Sequence, residues 1–320
     1  MFETLVSSTG IAGMFPFETK EKHYVRADMR RDERAGRGTG TFSGFLVTRM
    51  MGPGDASIAR ADRKLLWMLN HGRKEYLECP LQGCAMPGGA EAQKPQAQRE
   101  EQKQKAEEGC VMRVASSKFD VTPTGQKREL NGFNTEQYQA AWVVRMQDSA
   151  KRTTTSTVKF DVWTTPVNAQ MRQAMATEAA FGRSLGASAA AGKPAAGQQV
   201  VMPPEVITMM TGYLANLSPA DRAAFSRGVR ELDKIKGHPI STKIDWLVDG
   251  NACGAKDEQP QQQTGASGML SGMAGSLFAK KEESGPKPLL SFTIEVKQLG
   301  VRPVRDSVFS VPANYKLAKQ

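Results

Sequence analysis

The chain has 320 residues, 39% of them hydrophobic, and 43 Lys and Arg against 33 Asp and Glu, for a formal charge of +10. That is enough apolar material for a sizeable core, and the charge permits contact with anionic lipid, polysaccharide or nucleic acid without selecting one of them. No stretch reaches the ~18 consecutive apolar residues of a membrane span, so no transmembrane segment is expected.

At the N-terminus, Met1 to Phe17 carries Glu3 and no positive residue ahead of its apolar stretch, unlike a secretory signal. If the protein is exported, its signal has been removed or is not part of this sequence. Short strands are expected around Thr4, from His23 to Arg30, from Thr41 to Met51 and from Ser57 to Arg60. Arg26 to Arg37 is the densest basic stretch, but Asp28, Asp32 and Glu33 interleave with its arginines, so a solvated strand is preferred to an anion-binding patch. A hairpin follows, pairing Leu65–Leu69 with Lys74–Glu78 across Asn70-His71-Gly72-Arg73.

Residues 85–109, 186–199 and 254–288 are rich in Gln, Glu, Lys, Ala, Gly and Pro and poor in large apolar residues. Such segments bury too little surface to offset the entropy of ordering, and disordered insertions in a single β-rich domain spanning 1–320 are expected. Between them the apolar residues alternate with a period of two. Tyr138, Ala140, Trp142, Val144 and Met146 form one set; Val158, Phe160 and Val162 a second; Ile240, Thr242, Ile244, Trp246 and Val248 a third; Leu290, Phe292, Ile294 and Val296 a fourth. One-sided alternation is the mark of an antiparallel sheet with one wet face, since parallel strands read as continuous apolar runs.

Helical spacing clusters in the middle of the chain. Thr165, with Pro166 behind it, is the expected N-cap of a first helix carrying Met171, Ala174, Met175 and Phe181. A second, after Pro203-Pro204, carries Val206, Met209, Met210, Tyr213, Leu214 and Leu217 at i, i+3, i+4, i+7. A third opens at the capping box Ser218-Pro219-Ala220-Asp221, runs through Phe225, Val229 and Leu232, and stops at Gly237. These helices are expected to lie on the apolar face of the sheet.

The chemistry-bearing residues are few. His23, His71 and His238 sit in no spacing that pairs them with a nucleophile or a second ligand, and surface or capping roles are expected of them. Neither a zincin, a P-loop nor a dinucleotide-binding pattern occurs, and Gly40 to Gly44 places Ser43 one position late for a nucleophile elbow. No catalytic residue, metal or cofactor is therefore expected. Cys79, Cys84, Cys110 and Cys253 do not fit paired zinc spacing; disulfides, buried thiols and metal ligation remain in that order of preference, and two bridges would imply an oxidising compartment. Trp142, Phe160, Trp246 and Phe292 on the apolar strand faces, with Met209 and Met210 on the facing helix, read as a plain core or as the wall of a cavity for an apolar ligand.

Five segments recur together in order: Ala61 to Tyr76, Thr124 to Phe133 leading to Tyr138, Val162 to Pro166, Gly237 to Ile240, and Val308 to Tyr315. Over about residues 18–317 the chain thereby resembles an uncharacterised bacterial family related to the periplasmic lipoprotein carriers (LolA/LolB-like). The resemblance implies a mainly β (α+β) fold, a large curved antiparallel sheet forming an incomplete barrel, with two or three helices on its concave face, and export to the periplasm or envelope. It implies no catalytic residues, and acyl binding follows only by analogy of fold. The leading expectation is a monomeric, non-enzymatic envelope protein that binds a lipid or other apolar molecule and meets anionic envelope surfaces but no nucleic acid. A scaffolding protein with a filled core comes next, and a hydrolase with an unrecognised site third.

Overall fold

The structure, a computed structural model, describes residues 2–11, 16–39, 54–81, 112–188, 231–250 and 288–318. They form one open sheet of twelve strands in the order β12-β6-β5-β4-β3-β2-β1-β11-β10-β9-β8-β7. The strands are β1 (Phe2–Ile11), β2 (Phe17–Val25), β3 (Met29–Gly38), β4 (Asp55–Arg60), β5 (Leu65–Asn70), β6 (Glu75–Pro80), β7 (Met112–Leu130), β8 (Phe133–Asp148), β9 (Thr153–Thr165), β10 (His238–Gly250), β11 (Leu290–Leu299) and β12 (Lys316–Leu317). Every pairing is antiparallel except β12 with β6, which is parallel. Among the described residues the sheet does not close on itself and is edged by β12 and β7.

Local chemistry explains the hairpins. Asn131-Gly132 joins β7 to β8 with both residues at positive φ (52° and 81°), the backbone that a two-residue turn between right-twisted strands requires. The Leu65 hairpin forms, but its turn comes one residue later than expected, at His71 to Lys74, so that Leu65–Leu69 pair with Tyr76–Pro80; its left-handed residue is Lys74 (φ 53°), and Asn70 Oδ1 secures the turn by accepting the Arg73 N–H at 2.8 Å. Gly237 (φ 90°) opens β10 where a Cβ would stand 2.6 Å from the Thr165 carbonyl oxygen, so only glycine brings β10 this close to the end of β9.

Among the described residues there is one α-helix, α1 (Ala169–Ser188), not two or three. Its cap is Asn168, whose Oδ1 accepts the Met171 N–H at 2.8 Å, rather than Thr165, which ends β9. Met171, Ala174 and Phe181 face inward at 1%, 5% and 5% exposure, whereas Met175 points outward at 43%. The helix also takes in Gly186 to Ser188, the start of a segment expected to be disordered. The two further helices over 206–230, the strand over 41–51 and the insertions over 85–109, 189–199 and 254–287 lie outside the described residues. The expected His23–Arg30 strand is broken instead by the turn between β2 and β3, closed by Arg26 N–H donating to the Met29 carbonyl at 2.8 Å.

The apolar residues occupy opposite faces in the two halves of the sheet. Across β7 to β11, cross-strand partners align in rows on one face: Phe119, Trp142, Val158, Trp246 and Leu290 in one, Ala140, Phe160, Ile244 and Phe292 in the next. This cluster also takes Leu232 and Ile235, from the 3₁₀ turn Leu232–Lys234, and Phe17 of β2. Met171 of α1 closes the end of the same face with Ile240 and Val296. Across β3 to β6 the buried set is Ala56, Ile58, Trp67 and Leu69, on the other face, with Phe309 of the C-terminal segment packed into it. Phe17 and Tyr24 lie seven residues apart on β2, an odd spacing that points them to opposite sides, and each joins the cluster of its own side.

Candidate ligand-binding face and its charged neighbour

The four aromatic residues singled out in the sequence come from four adjacent strands and share one face. Trp142 (β8), Phe160 (β9) and Phe292 (β11) are 7%, 3% and 6% exposed, and Trp246 (β10) is half-buried. Phe17 meets the Phe292 ring edge-on with centroids 6.3 Å apart, and Phe119 tilts against Phe160 at 6.2 Å. Both indole N–H groups are satisfied within the sheet: Trp142 donates to Ser117 Oγ at 2.9 Å and Trp246 to Ser156 Oγ at 2.8 Å. These serines stand on the apolar face itself, so each buried polar group is matched by a neighbour and the indole planes are fixed.

The reverse side of this half is polar. Gln137 Nε2 donates to Asp161 at 2.9 Å, Ser291 Oγ to Asp245 at 2.6 Å, and the Arg128 guanidinium stacks 3.8 Å above the ring centre of Trp163. Trp163 is buried by that stacking although it lies on the polar side.

Farther along the apolar face, over β2 and β3, the lining becomes charged. His23, Glu21, Arg30, Asp32 and Arg34 share this side, by cross-strand pairing of His23 with Asp32 and Glu21 with Arg34. His23 Nδ1 donates to Asp32 at 2.6 Å and its Nε2 stands 3.6 Å from Glu21. Burial by itself would lower the imidazole, but hydrogen bonds and charge from the two carboxylates outweigh it and raise His23 to about 9. Burial likewise pushes Asp32 and Glu21 upward, yet His23, with Arg30 and Arg34 respectively, brings both below the ordinary carboxylate range. Arg30 grips Asp32 at 2.7 and 2.9 Å and reaches Glu178 of α1 at 3.2 Å. Ser184 of the same helix donates to the Ala27 carbonyl at 2.8 Å. α1 is therefore held by apolar packing through Met171 at its start and, farther along, by an ionic contact at Glu178 beside the buried Phe181.

These contacts correct the surface or capping roles expected of His23 and His238, while in the basic stretch Arg34 and Arg37 stay exposed and paired with Glu21 and Glu18. His23 is enclosed by carboxylates, and His238 is buried on β10, where desolvation lowers its proton affinity. His71 keeps its turn position, but its Nδ1 lies 2.6 Å from the Tyr315 hydroxyl. Arg30 and Arg31 point to opposite faces and both are engaged. Their period of two, Arg30-Asp32-Arg34 against Arg31-Glu33, was visible in the sequence; what it faced was not.

Cys79, on β6, is 2% exposed and is not a free thiol. Cys84, Cys110, Cys253, Met209 and Met210 lie outside the described residues. No helix among the described residues is long and apolar enough to cross a membrane. Neither a family model, nor a curated protein, nor a solved structure matches this chain.

Proposed function

We propose that this chain is an exported, non-enzymatic envelope protein that holds a lipid-like, apolar ligand against the β8–β11 face. The observation that carries the reading is the alignment of Trp142, Phe160, Trp246 and Phe292 on one side of four adjacent strands, an apolar strip bordered by few polar groups. A row of fixed aromatic planes offers an acyl chain a large contact area at little entropic cost to the protein. Trp246, the least buried of the four, is the point of entry. On this reading Met209 and Met210 belong to the cover that a ligand displaces, and Cys79 or Cys84 pairs with Cys110 in a disulfide, as export to an oxidising compartment would favour.

A second reading, a scaffolding protein with a filled core, is favoured by the low exposure of Phe160 and Phe292 and by the internal satisfaction of both indoles. Binding of a fluorescent fatty-acid probe to delipidated protein separates the two. The carrier reading expects saturable binding that Trp246→Ala weakens by about tenfold or more, with little loss of stability. Absence of probe binding by the wild type, together with strong destabilisation by Trp246→Ala, leaves the filled core.

A further inference from the structure

The opposite face, over β2 to β6, is occupied by the chain's own C-terminal segment, and the contacts that hold it are those of a peptide-recognition site. Val304, Val308, Phe309, Val311 and Tyr315 pack into the cluster around Ile58 and Trp67, with Phe309 fully buried. Three arginines from neighbouring parts of the sheet donate to main-chain carbonyls of that segment. Arg26 binds the Val304 oxygen, Arg31 the Val308 oxygen at 3.1 Å and Arg60 the Phe309 oxygen at 3.2 Å. Arg26 also pairs with Asp306 at 2.6 Å and lies over the Phe309 ring at 5.1 Å.

Arg31 and Arg60 are 8% and 7% exposed, and each is oriented by a carboxylate two residues farther along the sheet-side chain. Arg31 Nε donates to Glu33 at 2.9 Å; Arg60 donates to Asp62 at 2.8 and 2.6 Å. These ion pairs belong to the sheet, so the guanidiniums are positioned whether or not the segment is seated. Beyond Phe309 the segment reaches the sheet edge and adds β12 in parallel to β6, with Lys316 N–H donating to the Lys74 carbonyl at 3.0 Å and Ala318 N–H to the Tyr76 carbonyl at 2.8 Å. Apolar pockets for spaced side chains, preset donors for carbonyls and an open edge for strand addition are the three parts of extended-peptide recognition.

We infer that this face is a peptide-binding site for which residues 301–318 are the ligand, and that it takes the same residues from a second copy of the chain. The occupant is identified by fit: the spacing of Val304, Val308, Phe309 and Tyr315 and the register with β6 are those of this segment. Among the described residues the segment joins the body only through the connection after β11, so a segment seated in cis and one supplied in trans make the same contacts. This inference is independent of any ligand on the β8–β11 face.

The test uses the full chain with a protease-cleavage sequence inserted between Gly300 and Val301, cut after folding and followed by native mass spectrometry. The severed fragment should stay bound and then be replaced by an excess of isotopically labelled peptide spanning 301–318. A labelled peptide with Phe309→Ala should compete about a hundredfold less well. Uncut chains of two isotopic masses, mixed at high concentration in mild denaturant and returned to buffer, should yield mixed dimers. A fragment that never exchanges, one that leaves and does not rebind, equal competition by the Phe309→Ala peptide, or a strictly monomeric mixture would each overturn the inference.

Discussion

In β7 to β11 the main apolar cluster lies on one face of the sheet, and in β3 to β6 it lies on the other. The first half is covered by residues that follow β9 and precede β10, the second by the segment that follows β11. The difference teaches that a long open sheet does not need one continuous core: each half alternates with the same period, and the two are out of phase. The crossover lies in β2, where Phe17 enters one cluster and Tyr24 the other. At the crossover the side vacated by apolar residues is filled by the Glu21–His23–Asp32–Arg30 network, which also ties α1 to the sheet through Glu178.

The sharpest way to break this comparison is to truncate the centre of each cluster. Phe309→Ala and Phe160→Ala both remove fully enclosed rings, and each should cost about 3–5 kcal/mol in urea unfolding. If the two halves fold as one unit, tryptophan fluorescence and circular dichroism report a single shifted transition for either variant. Two separated transitions, each responding to only one substitution, would show that the faces are independent.

The charged crossover makes a pH-dependent contribution with a defined sign. His23 has its proton affinity raised from 6.5 to about 9 in the folded chain. Its contribution is therefore complete below about pH 6.5 and is lost as pH rises through about 9, to the extent of about 3 kcal/mol. Asp32 and Glu21, both lowered, act at the other end: their contribution is present above the ordinary carboxylate range and disappears on acidification. Denaturation midpoints measured between pH 6 and 10 should fall in the wild type and stay level in His23→Gln. An unchanged slope in the variant would assign the dependence to other groups.

The smallest expected effect concerns how α1 starts. Asn168→Ala removes the acceptor of the Met171 N–H and should cost about 0.5–2 kcal/mol. Thr165→Ala, at the position the sequence spacing favours as the cap, leaves that acceptor in place. Comparable losses of helical stability from the two variants, read by hydrogen exchange at Met171, would count against Asn168 as the cap.

Much of the β architecture was legible from alternation alone. The four apolar sets on β8 to β11 were read correctly because a half-buried strand must repeat every two residues, and the grouping of Trp142, Phe160, Trp246 and Phe292 on one face followed from that parity. The edge strand β7 was not read as a strand, since most of its side chains are exposed and only Phe119, Val121 and a few others mark its inner side. Asn168 is hard to pick out as the cap from sequence because Thr165-Pro166 presents an equally good local signal three residues earlier.

What the sequence determined by itself is the period of the half-buried strands β8 to β11 and most of the inward stripe of α1, because these depend on residues close together in the chain. Only the tertiary structure decided strand order, the open form of the sheet and the change of buried face at β2, because cross-strand register links residues as distant as Glu3 and Gln298. The same holds for the arginines. Arg26, Arg31 and Arg60 are ordinary turn and strand charges until the fold carries Val304 to Phe309 over them, and a hydrogen bond to a main-chain carbonyl leaves no trace in the sequence of the segment that accepts it.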